Sequence, residues 1–139
     1  MSELHQNPGL LSPLALAFVG DAVYSLLTRE KLAAQGVHAS RLHGLSVRLV
    51  SAPAQAAAAE RIAPLLSEEE MSVYKRGRNA HSSTTPKNAT SREYHAATGL
   101  EALFGYLHLK GNVERIGQLF AVIWEAGFGK NSSERAGRT

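Results

Sequence analysis

Asp21 is the only aspartate in a chain of 139 residues, and it lies in the apolar run LALAFVGDAVYSLL, positions 14–27. Glu101 has a matching setting in AATGLEALFGYLHL, positions 96–109. Both runs carry glycine near the acid: Gly20 in the first, Gly99 and Gly105 in the second. A glycine inside a helix costs about 1 kcal/mol relative to alanine, so it needs a reason, and close approach of another helix is one. Other glutamates have ordinary surroundings. Glu30 and Glu60 adjoin cations, Glu68, Glu69 and Glu70 sit at a helix start, and Glu114 neighbours Arg115. A carboxylate on an apolar helical stretch is costly to bury unless paired or metal-bound. Taken singly, each acid also reads as a structural ion pair or a cap. Together, beside a basic segment, they point to a divalent-cation site. Magnesium is commonly held by one or two carboxylates, with waters and substrate phosphates completing its octahedron. Phosphodiester hydrolysis by that route needs no protein nucleophile.

The basic segment follows Tyr74. Lys75, Arg76, Arg78, Lys87 and Arg92 fall within positions 75–92, with no acid among them. Between them runs NAHSSTTPKNA, positions 79–89, with no apolar side chain larger than alanine. Loops of that length in a compact domain are often functional or disordered. Asn79, Ser82, Ser83, Thr84, Thr85 and Asn88 add neutral donors, a set suited to phosphate and sugar oxygens. The same residues also fit a solvated loop at a helix C-terminus, where Lys and Arg favour the dipole in any case.

Other chemistries find little support. Cysteine is absent, which excludes disulfides, thiolate zinc sites, iron–sulfur clusters and cysteine nucleophiles. The six histidines form no H-x-x-x-H or H-E-x-x-H pattern, and phosphate-loop, dinucleotide and G-x-S-x-G signatures are missing. Tyr24, Tyr74, Tyr94 and Tyr106 are too scattered for a base-stacking platform and read as core. The net charge of +3 permits a polyanionic partner without requiring one. Positions 14–27 are too short to cross a bilayer and contain Asp21, and Met1 to Leu11 carry Glu3 and no basic flank. A protein that stays off membranes, in the cytoplasm, is expected.

The elements that must position these groups read as helices. Apolar residues make up 44% of the chain, enough for one folded domain, and long Val/Ile/Thr/Tyr alternation is missing. Ser12-Pro13 opens a helix that stops at Gly36. A second runs from about Ser40 to Val50, and Ser51 with Pro53 opens a third, closed by Pro64. Ser67 to Glu70 and Thr90 to Glu93 are capping boxes. The helices they open end near Arg78 and at Lys110–Gly111. The last spans Val113 to Ala126, and the tail from Gly127 is expected to fray. The sum is an all-α bundle of about six helices.

These stretches resemble a known family. Phe18-Val19-Gly20-Asp21-Ala22-Val23 is similar to the signature helix of the ribonuclease III family. Leu100-Glu101-Ala102-Leu103-Phe104-Gly105-Tyr106-Leu107 resembles that family's second acidic helix. Lys75-Arg76-Gly77-Arg78-Asn79-Ala80, with Ser82 and Thr84-Thr85-Pro86-Lys87-Asn88, resembles its Mini-III branch. The likeness covers about residues 12–128. It departs from longer members at Leu14, Ala17 and Thr98, where they carry further acids, a thinning that the Mini-III branch shares.

The resemblance implies the helical bundle of a ribonuclease III endonuclease domain over residues 1–128, a flexible tail over 129–139, and no separate double-stranded-RNA-binding domain. It implies a homodimer that cuts double-stranded RNA with Mg²⁺, or Mn²⁺ in its place, leaving 5′-phosphate ends. Asp21 and Glu101 would be catalytic metal ligands. Lys75, Arg76, Arg78, Asn79, Ser82, Thr84, Thr85, Lys87 and Asn88 would contact the RNA. The substrate implied is the precursor of 23S ribosomal RNA, in ribosome biogenesis. The rival expectation is a non-catalytic RNA-binding or ribosome-assembly module on the same fold.

Overall fold

The computed structural model describes residues 7–80 and 90–129. Among them are six α-helices and no strand: α1 Pro13–Ala34, α2 Ala39–Leu49, α3 Ala52–Ile62, α4 Glu68–Arg78, α5 Ser91–Leu109 and α6 Val113–Trp124. Single 3₁₀ turns at Pro8–Leu10 and Ala63–Leu65 flank α1 and α3.

The chain marks its own helix ends. Ser12 accepts from the Ala15 amide ahead of Pro13, and Ser51 accepts from Ala54 one residue before α3. Both expected capping boxes close reciprocally, Ser67 with Glu70 and Thr90 with Glu93. Gly36 and Gly111 take the left-handed φ values of +71° and +80° that end α1 and α5, conformations other residues rarely adopt. Only the last helix departs from expectation. Its α-geometry stops at Trp124, and Glu125–Gly129 widens into a π-turn. Gly127 and Gly129, poor helix formers, fall in that turn. Most of the tail expected to fray lies outside the described residues.

Helix α5 is the axis of the bundle. Ala97 to Leu100 and Ala102 to Leu107 are all buried, so its apolar surface goes round the whole cylinder. Helices α1, α3 and α4 pack against it. Phe104 is fully buried and takes the Tyr24 ring edge-on at 5.4 Å, with Leu16, Leu100, Leu103, Ile62 and Leu119 around them. Burial of each such side chain stabilises the fold by about 1.5–3 kcal/mol.

Glycine sets how closely the helices approach. A Cβ on Gly20 would lie 1.6 Å from the Glu101 carbonyl oxygen, and one on Gly105 would lie 2.0 Å from the Leu16 carbonyl oxygen. Backbone therefore meets backbone where α1 crosses α5. The close approach expected from Gly20 is present, and it occurs at Glu101 itself.

Candidate active site

Asp21 follows Gly20 on α1, and Glu101 lies opposite on α5. The glycine contact brings the two carboxylates together. Glu101 is the one residue between Ala97 and Leu107 that is not fully buried. Its carboxyl is pushed up to about 8, first by burial and then by the hydrogen-bond and charge contact with Asp21. Burial also raises the Tyr24 phenol, and the Glu101 charge adds to that.

The two acids are not equivalent. The apolar run around Asp21 suggests a buried carboxylate, but Asp21 is exposed. Helical geometry explains the difference. Leu16, Ala17, Gly20 and Tyr24 turn inward, while Leu14, Phe18, Asp21 and Ala22 face out. The apolar residues flanking Asp21 in sequence are thus split between core and surface. Asp21 is open to solvent, and Glu101 is partly buried. Among the described residues neither carboxylate forms an ion pair.

Gln55, which the motifs do not single out, completes the surroundings. It projects from α3, is 2% exposed, and draws the Glu101 pKa down. Its Nε2 makes no hydrogen bond of normal geometry, although it is the contact of the Gln55 side chain with the Glu101 carboxyl that lowers that pKa. The sequence held a signal. Gln55 is the single polar residue in APAQAAAA, the kind of misfit that Asp21 and Glu101 present.

The basic residues divide between two faces of α4. Lys75, Arg76 and Asn79 line an open groove of about 820 Å³ together with Glu68 at the start of α4 and Pro13 at the start of α1. Arg78 turns the other way, into a cleft of about 400 Å³ shared with Tyr74 and Arg92, and lies 5.7 Å over the Tyr74 ring. Glu60 and Glu93 line that second cleft, so its charge is mixed as well. Adjacent positions in sequence diverge because each residue advances 100° around a helix. Ser82, Thr84, Thr85, Lys87 and Asn88 lie outside the described residues. The family's missing acids leave ordinary neighbours: Thr98 donates to the Tyr94 carbonyl at 3.0 Å, Ala17 is buried, and Leu14 is half-exposed.

The donor set suits a hard cation. Among the described residues no cluster of three or more His, Cys, Asp or Glu forms. Two facing carboxylates with unmatched charge are what Mg²⁺ takes when waters and phosphates supply its other ligands.

A helical bundle with two acids brought together where glycines let α1 cross α5 matches one established class. The family described as Ribonuclease III domain matches residues 14–112, and the chain belongs to the ribonuclease III family. Its similar relatives place it in a small branch of that family. It is 53% identical to the Mini-ribonuclease 3 of Thermoanaerobacter sp. (strain X514), over 83% of each chain. It is 48% identical to the Mini-ribonuclease 3 of Brevibacillus brevis, over 87% of this chain and 94% of that one. A crystal structure of a Fusobacterium nucleatum protein superposes with a TM-score of 0.79 at 30% identity, over 87% of this chain and 98% of the other.

Proposed function

We propose that Asp21 and Glu101 are the catalytic metal ligands of an endoribonuclease that cuts double-stranded RNA. Membership of the ribonuclease III family gives the activity: hydrolysis of phosphodiester bonds within duplex RNA, leaving 5′-phosphate ends. The observation that supports the site is the Asp21–Glu101 contact, two acids held together at a glycine crossing without a counter-charge. Mg²⁺, with Mn²⁺ as a substitute, is the cofactor. When bound it supplies Lewis-acid polarisation of the scissile phosphate and a water of lowered pKa. The chain supplies the rest. Glu101 is fixed from behind by the packing of α5, and Asp21 stands where a substrate phosphate can reach it. Lys75, Arg76 and Asn79 line the groove, and Arg78 lies on the next face. With Ser82, Thr84, Thr85, Lys87 and Asn88 they are the proposed RNA contacts. Phosphate and 2′-hydroxyl contacts read A-form shape rather than sequence.

The working unit is a homodimer. Leu14, Phe18, Ala22 and Leu26 lie one turn apart on the outer face of α1, and all four are exposed, Phe18 by 82%. Such an apolar row on a soluble bundle suits a partner, and a second copy related by a two-fold axis matches the antiparallel strands of a duplex. No helix among the described residues is long and apolar enough to cross a membrane. The substrate we propose is the 23S ribosomal RNA precursor, in the cytoplasm, and the domain spans residues 1–128 with a C-terminal tail.

A non-catalytic RNA-binding module is the second reading, favoured only by the thin acidic set. One comparison separates the two. Labelled RNA duplex, single-stranded RNA and DNA duplex of one sequence are incubated with Mg²⁺ or with EDTA. The proposal expects cutting of RNA duplex alone, and only with Mg²⁺. Binding without cutting selects the module, and equal cutting of DNA duplex rejects the substrate assignment.

A further inference from the structure

We propose that Gln55 is a positioning residue for Glu101: its amide, buried against the carboxylate, aims Glu101 toward Asp21 without bringing a charge of its own. The inference rests on the reading of Asp21 and Glu101 as metal ligands.

Gln55 is 2% exposed, on a helix whose other inward residues are Ala58, Ala59 and Ile62. Its Nε2 is the only fully buried side-chain nitrogen or oxygen among the described residues that lacks a hydrogen-bond partner. An unsatisfied buried donor costs about 1–3 kcal/mol, so alanine or methionine would suit packing better. The amide also has a target, since the Glu101 carboxylate is its nearby acceptor. Lys or Arg here would hold Glu101 as firmly, but their charge would neutralise the pair and oppose cation binding. A neutral donor fixes the carboxylate and leaves its charge available. Partners that orient ligands in this way typically contribute 10–100-fold to metal affinity or activity.

The test compares wild type with Gln55→Met, which keeps the length and removes the donor. Melting is followed in EDTA and across a Mn²⁺ titration without RNA, and single-turnover cleavage is followed across Mg²⁺ concentrations. Gln55→Met is expected to melt in EDTA at or above the wild-type temperature. It should need about ten-fold or more Mn²⁺ for half of the stabilisation, and cleave slowly until Mg²⁺ is raised by a similar factor. An unchanged Mn²⁺ midpoint in the folded variant overturns the proposal. If Gln55→Met does not fold, Gln55→Asn, which keeps the amide but withdraws it by one methylene, is judged on the same midpoint. Absence of any Mn²⁺ stabilisation in the wild type overturns the metal-ligand reading itself. Wild-type stabilisation with an unchanged variant midpoint overturns only the role of Gln55.

Discussion

Glu70 and Glu101 are both carboxylates set into the bundle, and their surroundings are opposite. Glu70 is 6% exposed and fully matched. It accepts from the Ser67 amide at 2.9 Å, and Arg115 grips it with Nε at 2.8 Å on one oxygen and Nη2 at 2.9 Å on the other. Arg115 also donates to the Leu65 carbonyl at 2.7 Å, tying α6 to the turn before α4. These bonds hold the Glu70 carboxyl below the usual carboxylate range. Beside it Glu69 accepts from Tyr106 and Lys110, joining α4 to the end of α5. Glu101 has instead a second carboxylate and the neutral Gln55 amide, and its carboxyl rises to about 8. Where a carboxylate only holds helices together, the fold supplies a counter-charge. Where no counter-charge is supplied, the carboxyl holds its proton to higher pH, and on the proposed reading a bound cation would take that proton's place. Unmatched charge, rather than burial, separates Glu101 from Glu70.

The sharpest way to break this contrast is to neutralise each region in turn. Asp21→Asn and Glu101→Gln keep shape and lose ligand strength. Each is expected to lower single-turnover cleavage by about 10³-fold or more, the scale of several kcal/mol of lost transition-state stabilisation. Duplex binding should persist, and the metal-free variants should melt no lower than wild type, because a repulsion has been removed. The double variant should be little worse than either single one, since the two acids act as a unit. Arg115→Met should do the reverse, costing about 3 kcal/mol by stranding Glu70. That is a fall of about 10 °C in melting temperature for a domain of this size, with cleavage kept in the folded fraction.

The pH dependence of metal-free melting sharpens the same comparison. Glu101 is raised in the fold, so its contribution is fully present below the unfolded carboxylate pKa near 4.5 and is lost as pH rises toward about 8. Glu70 is lowered, so its contribution is present above that value and is lost as pH falls below it. Wild type should thus lose stability at both ends. Glu101→Gln should flatten the rise-side loss alone, and Arg115→Met should blunt the acid-side loss. The smallest effect concerns the groove. Arg76 is exposed, and Arg76→Ala should leave melting unchanged while reducing the salt slope of duplex binding by roughly 0.9, a scale taken from B-form DNA. A large fall in melting temperature with affinity intact would make Arg76 structural.

Much of this was legible in the residues because it is local. Ser12-Pro13, both capping boxes, Gly36 and Gly111 satisfy or end a helix using atoms within a few positions, so sequence spacing is enough to place them. The Asp21–Glu101 meeting was legible for a related reason: Gly20 and Gly105 declare a close crossing, and each lies next to an acid or within a turn of it. Other features depend on which way a helix is turned. Phe18 and Leu16 look alike in an apolar run, yet one is 82% exposed and the other 1%. The cations of α4 form one cluster in sequence and two faces in space. Gln55 stands out in its alanine run, but its partner is readable only once α3 is laid against α5, since nothing in its own neighbourhood says that Glu101 is there.

The most direct measurement is the Mn²⁺-induced rise in melting temperature of RNA-free protein at pH 8, for wild type, Asp21→Asn and Glu101→Gln. Binding to the folded state alone stabilises by mass action, so the rise reports the site without reference to catalysis. The account predicts a rise with Mn²⁺ concentration in wild type and little or none in either variant, with both variants folded. An equal rise in all three would place the metal elsewhere and contradict the assignment of Asp21 and Glu101.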